Sequence, residues 1–112
     1  MSKEIYWYET VSGRQPFGEW LFGIKDQTVV QSILARLDRL INGNFGDVQS
    51  VGAGVSELRF HFGAGIRVYF ALDGSHIILL LCAGDKSSQK KDIKNAKVYW
   101  QDYLRRNYES GS

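Results

Sequence analysis

Long apolar runs are missing from this sequence. No stretch reaches eighteen consecutive apolar residues, so none reads as a membrane-spanning helix. Cysteine is nearly absent: the single thiol, Cys82, sits in an apolar run and has no partner for an internal disulfide. One cysteine and two histidines make no metal-ligand cluster of recognisable spacing, so no metal is expected. Walker-type and Rossmann-type glycine motifs are missing too, and no cofactor is expected. A strong charge of one sign is also lacking. The net charge of +2 permits nucleic-acid binding without arguing for it. Met1-Ser2-Lys3-Glu4 leads into Ile5-Tyr6-Trp7-Tyr8 with neither the basic start nor the apolar stretch of a signal peptide. A reducing, cytoplasmic setting is the expectation.

What is present suits one globular domain. The chain has 112 residues, 44% of them hydrophobic, enough for a core without staples. Repeats and low-complexity linkers are absent, so residues 1–107 read as one domain and residues 108–112 as a disordered tail. Residues 3–8 are aromatic-rich and predict a first strand. Pro16 suits a helix start, followed by Phe17, Trp20, Leu21 and Ile24 at helical spacing. Asp26 can cap a second helix, whose stripe is Val30, Ile33, Leu34, Leu37, Leu40 and Ile41, with Asn42-Gly43 as its stop. Residues 43–54 read as a glycine-rich connection. Strands are predicted over 55–62, 66–73 and 76–83, the last apolar enough to be covered on both faces. Ser87 or Ser88 then opens a third helix with Ile93, Ala96, Trp100, Tyr103 and Leu104 as its buried stripe. The order strand, two helices, three antiparallel strands, helix makes an α+β domain: a twisted antiparallel sheet with helices mainly on one face.

Two glycines in Gly63-Ala64-Gly65 suit a three-residue hairpin loop. That loop pairs Phe62 with Ile66, Phe60 with Val68 and Leu58 with Phe70. On the other face it pairs His61 with Arg67 and Arg59 with Tyr69. A one-residue shift would turn charges onto the core face. Arg59, His61, Arg67 and Tyr69 therefore share one face. The turn at Asp73-Gly74 then sets Tyr69 against Ile78 and Arg67 against Leu80.

Two guanidiniums, an imidazole and a phenol on one face suit a phosphodiester. Arginine grips phosphate oxygens and stabilises charge developing on them. Histidine moves protons near neutral pH. Tyrosine donates to an oxygen or stacks on a base. Lys86 follows the last strand, just before a helix N-terminus able to bind an anion. Residues 86–97 carry five lysines against one aspartate, which makes Lys90, Lys91 and Lys94 candidate RNA contacts. The same residues are equally consistent with a plain surface: a Glu57–Arg59–Arg67 ion network, a structural His61 and a solvated helix flank.

The segments Gly46-Asp47-Val48, Gly54-Val55-Ser56-Glu57-Leu58-Arg59, Gly63, Gly65, Arg67-Val68-Tyr69-Phe70 and Gly84-Asp85-Lys86-Ser87-Ser88-Gln89 together carry a resemblance. The chain resembles the addiction-module-killer branch of the RelE/ParE toxin superfamily, the HigB-like toxins, over nearly its whole length. The resemblance implies a RelE-like fold and a type II toxin neutralised by a co-encoded, often helix-turn-helix, antitoxin. It implies cleavage of messenger RNA at the ribosome by metal-free attack of a 2′-hydroxyl on the adjacent phosphate. Carried over, Arg67 matches the phosphate-stabilising arginine, Arg59 the basic position of the preceding strand and Lys86 the basic residue after the last strand. His61 and Tyr69 are additions from chemistry. The chain departs from the pattern at Ile66, where tyrosine is frequent, and in offering Tyr99, Tyr103 and Tyr108 but no histidine near its C-terminus. The fold is also used by non-enzymatic toxins that block gyrase, so the alternatives for this chain are such a toxin or an inactive relative that only binds its antitoxin.

Overall fold

The computed structural model describes residues 3–109. Strand β1 (Glu4–Trp7) leads to helix α1 (Pro16–Phe22), with Pro16 in the first turn, where its missing N–H is not needed. Helix α2 (Gln27–Ile41) is capped by Asp26, whose carboxylate accepts from the Thr28 N–H at 2.9 Å. Ile33, Leu37 and Leu40 form its buried stripe, and Asn42 and Gly43 end it. Strands β3 (Val55–Arg59), β4 (Arg67–Asp73) and β5 (Ile77–Gly84) follow, then a 3₁₀ turn (Lys86–Ser88) and helix α3 (Gln89–Leu104). A last π-helical turn (Arg105–Glu109) includes Tyr108, whose hydroxyl donates to Asp73. The remainder of the expected tail, residues 110–112, lies outside the described residues.

Residues 43–54 hold a strand where a connection was expected. Strand β2 (Val48–Gly52) pairs antiparallel with β3. The turn between them is Ala53-Gly54, with φ of 56° and 83°. Two positive φ values in a two-residue loop are what a twisted hairpin needs. An alanine there gives a weak sequence signal, because L-residues seldom adopt that conformation.

The five strands form one sheet in the order β1-β5-β4-β3-β2. It is mixed rather than antiparallel, because β1 runs parallel to β5. The long path through α1 and α2 permits that return, which a tight hairpin does not. Helices also lie on both faces, not mainly on one. Helices α1 and α2 bury Phe17, Leu21, Ile33, Leu37 and Leu40 against Leu58, Val68, Phe70, Ile78 and Leu80. Helix α3 buries Ala96 and Trp100 against Val55, Tyr69, Ala71, Leu79, Leu81 and Cys82 on the opposite face. This double cover is why β5 is apolar at nearly every position.

The hairpin register differs from the expected one by two residues. Leu58 pairs with Val68, Glu57 with Tyr69 and Arg59 with Arg67. The strands stop at Arg59 and Arg67, and a Phe60 N–H to Ile66 carbonyl bond of 3.0 Å closes a wider loop. An even shift leaves every side chain on its face, so the core pattern could not distinguish the two registers. The β4–β5 turn is likewise longer. Asp73 pairs with Ile77, and an irregularity beside Tyr69 sets Tyr69 against Cys82 and Arg67 against Gly84 rather than Ile78 and Leu80.

Gly84 seats the start of α3. A Cβ there would stand 1.9 Å from Asp92 Oδ2 and 2.6 Å from Ser88 Oγ. Asp92 is buried and accepts the Ser88 hydroxyl at 2.5 Å. Gly84→Ala is expected to cost about 1–3 kcal/mol by overpacking. The check is a lower urea midpoint at unchanged slope.

Candidate active site

Where β3 and β4 run out beyond the edge of α3, the sheet opens into a cleft of about 350 Å³. Arg59, His61 and Arg67 line it with Lys86, and the loop residues Phe62, Gly63 and Gly65 form its rim. Three separate pieces of chain thus bring their cations to one place. The loop tip is tied to the 3₁₀ turn by a Lys86 N–H to Ala64 carbonyl bond of 3.2 Å. Gly65 makes this approach possible. Its φ is +78°, and a Cβ there would lie 3.1 Å from Arg67 Nη1 and 3.3 Å from Lys86 Cβ.

Arg59 and Arg67 face each other directly across the strand pair. Like charges so placed repel, and a carboxylate beside each offsets this. Arg67 Nε lies 3.7 Å from Glu57 Oε2, and Arg59 Nε lies 3.6 Å from Asp47 Oδ1. Neither contact is a hydrogen bond, and both Nε atoms are buried without a hydrogen-bond partner. Arg67 Nη1 donates to the Gly65 carbonyl at 2.8 Å. Arg67 is held mostly inside, its side chain 13% exposed, while Arg59 is 37% exposed. Buried polar atoms left unmatched are uncommon, and each calls for an explanation.

Glu57 is the buried carboxylate under the cleft. It accepts from Tyr69 Oη at 3.0 Å and from Gln89 Nε2 at 2.9 Å, joining β3, β4 and α3. Tyr69 itself is fully buried. Burial and its bond to Glu57 push its hydroxyl far above the ordinary tyrosine value. It therefore shares a strand face with Arg67 but does not reach the cleft, and its role is to hold Glu57.

His61 lies in the loop beyond β3, not opposite Arg67 on the strand. Its Nε2 is 2.6 Å from Asp47 Oδ2, and its side chain is 76% exposed. Asp47 thus bridges His61 and Arg59. The His61 bond first, and Arg59 beside it, hold the Asp47 carboxyl below the usual range. Arg36 of α2 fixes the backbone around it, donating to the carbonyls of Arg59 at 3.0 Å and Asp47 at 3.5 Å. Asp47 and Arg36 were missed as site residues. The legible signal was the Gly46-Asp47 pair just before a β-branched segment.

The helix terminus near Lys86 is already occupied by the chain itself: Asp85 accepts from the Ser87 N–H at 2.9 Å. Lys90, Lys91 and Lys94 are exposed on α3 but do not line the cleft. Cys82 is buried, and burial pushes its thiol up to about 12, which makes it an inert core group. Among the described residues no group of three or more His, Cys, Asp or Glu is placed to hold a metal ion, and no helix is long and apolar enough to cross a membrane. A second cleft, between β1 and the last helical turn, is lined chiefly by Tyr6, Trp7, Tyr8 and Tyr103; its cation, Arg106, is bonded to Asp102.

Residues 19–100, which include every residue of the cleft, match the family described as phage-derived protein Gp49-like (DUF891). The chain belongs to the Gp49-like family. This is a toxin-type family of the RelE/ParE-like kind in general, and the five-stranded α+β fold agrees with a RelE-like fold in general. An uncharacterized protein of Haemophilus influenzae is 46% identical to this Gp49-like chain over 86 residues, covering 77% of this chain and 87% of its own.

Removing the Tyr69 hydroxyl deprives buried Glu57 of one donor. Tyr69→Phe is expected to lower stability by about 1–3 kcal/mol. A lower urea midpoint at unchanged slope is the check.

Proposed function

We propose that this Gp49-like protein is the toxin of a type II toxin–antitoxin pair and acts, like HigB-like toxins, as a ribosome-associated endoribonuclease. Its partners in this reading are messenger RNA, the ribosome and a co-encoded helix-turn-helix antitoxin, and its workplace is the cytoplasm. One observation carries the reading: Arg59, Arg67 and Lys86 converge on a single open cleft, with the two arginines in facing register.

Such a cleft suits the transition state of RNA cleavage. When a 2′-hydroxyl attacks the neighbouring phosphorus, negative charge builds on the non-bridging oxygens. Preorganised guanidiniums are worth most against charge that appears only then. Arg67, rigid and mostly desolvated, is assigned to those oxygens, with Arg59 on the opposite side. Lys86, a point charge on the rim, is assigned to a phosphate of the bound strand. The exposed Lys90, Lys91 and Lys94 on α3 extend the electrostatic track for the RNA backbone. This chemistry needs no metal ion.

The test is induced expression with protein synthesis as the readout. Wild type should halt incorporation of labelled amino acids. Arg67→Ala should lose about 10²–10³-fold in cleavage rate, the usual cost of removing one transition-state donor, while circular dichroism shows an intact fold. Lys86→Ala should lose less, because it acts from the rim. If the wild type leaves protein synthesis untouched, the proposal fails.

A further inference from the structure

Phosphate stabilisation leaves one polar group of the cleft, His61, without a task. His61 lines the cleft beside both arginines and Lys86, and Asp47 holds its Nε2 at 2.6 Å. Other candidates for moving a proton are engaged elsewhere. Tyr69 is buried beneath α3, and Glu57, also buried and not part of the cleft lining, accepts from Tyr69 and Gln89 through Oε2. Tyr103 and Tyr108 both donate to Asp73, and Tyr99 stacks on Tyr8 with ring centroids 4.9 Å apart. Cys82 is a core thiol.

The geometry fixes which nitrogen of His61 is free. Asp47 has its carboxyl held below the usual range, so at neutral pH it is an acceptor only. The short contact then requires Nε2 to carry the hydrogen. In the neutral ring, Nδ1 keeps its lone pair. The charged groups around the imidazole are Asp47, from the segment before β2, and Arg59, Arg67 and Lys86 across the cleft.

We infer that His61 and Asp47 form the proton-transfer pair of this cleft, with His61 Nδ1 as the base for an RNA 2′-hydroxyl and Asp47 as its positioning residue. The inference rests on the nuclease reading above. The 2′-oxygen gives its proton to Nδ1 and forms a bond to the adjacent phosphorus. The bond from phosphorus to the 5′-oxygen breaks. The products are a 2′,3′-cyclic phosphate and a 5′-hydroxyl, the latter taking its proton from water. The imidazolium returns its proton to water, so charge and protons balance. Asp47 also faces Arg59, and thereby holds the base and one phosphate ligand at a common edge.

Two measurements test it. The first is nitrogen NMR of histidine-labelled protein. Wild type should show a single His61 tautomer protonated at Nε2, and Asp47→Asn a mixture of both. The second is single-turnover cleavage of a short message on programmed ribosomes. His61→Ala should lower the maximal rate by about 10²-fold or more, with half-saturation nearly unchanged, and added imidazole should restore part of the loss. Asp47→Asn should cost about 10–100-fold and nothing further in the His61→Ala background. Arg67→Ala, inactive and not rescued by imidazole, separates the two claims. If wild type cleaves, Arg67→Ala does not and His61→Ala matches wild type, the pair is overturned and the nuclease reading stands. If wild type does not cleave, both fall. A His61 protonated at Nδ1 overturns the positioning role of Asp47.

Discussion

Two arginines face each other across an antiparallel pair of strands, and much of the local structure answers that one placement. Arg59 and Arg67 occupy directly paired positions, where Cβ atoms stand only about 5 Å apart. Two guanidiniums so close repel each other unless anions stand nearby. Each has its own: Glu57 from the next position on the same face of β3, and Asp47 from the segment just before β2. Both anions touch Nε rather than gripping the guanidinium in a bidentate fork. The cations are steadied without being fully neutralised, which leaves positive charge facing the cleft.

The supporting groups are placed by the fold at some cost. A carboxylate buried as deeply as Glu57 is unfavourable without partners. Its two hydrogen bonds come from different elements, Tyr69 of β4 and Gln89 of α3. The carboxylate therefore also sets how α3 sits on the sheet. Glycines admit the close approaches: Gly65 brings Lys86 beside Arg67, and Gly84 seats Asp92 and Ser88 at the start of α3. With α3 covering most of its face of the sheet, the hairpin end is where the cations stay open to solvent. The resulting site is rigid beneath, at Glu57 and Tyr69, and accessible above, at His61 and Lys86.

Much of this was legible in the residues. Helix α2 carries its cap and stop in its letters and most of its stripe, although Leu34, expected in the stripe, is exposed; the hidden strand β5 carries its two-sided burial. Shared faces on the hairpin were readable as well, because alternation is a period-two signal. Register was not, since a shift of two residues preserves every face. That shift moved Arg59 opposite Arg67 and carried His61 off the strand into the loop. The partner of His61 was hidden for another reason. Asp47 lies fourteen residues earlier, beside a strand whose turn depends on an alanine with positive φ. Helices on both faces and a parallel β1 depend on long-range packing, which local periodicity does not record.

The central claim is that this cleft cuts RNA. Mapping of RNA 5′ ends across the transcriptome shortly after induction tests it most directly. Cleavage at the ribosome calls for new 5′-hydroxyl ends inside translated reading frames, at positions in register with codons. Growth arrest with unchanged 5′ ends would contradict it and point instead to a toxin that acts by binding alone.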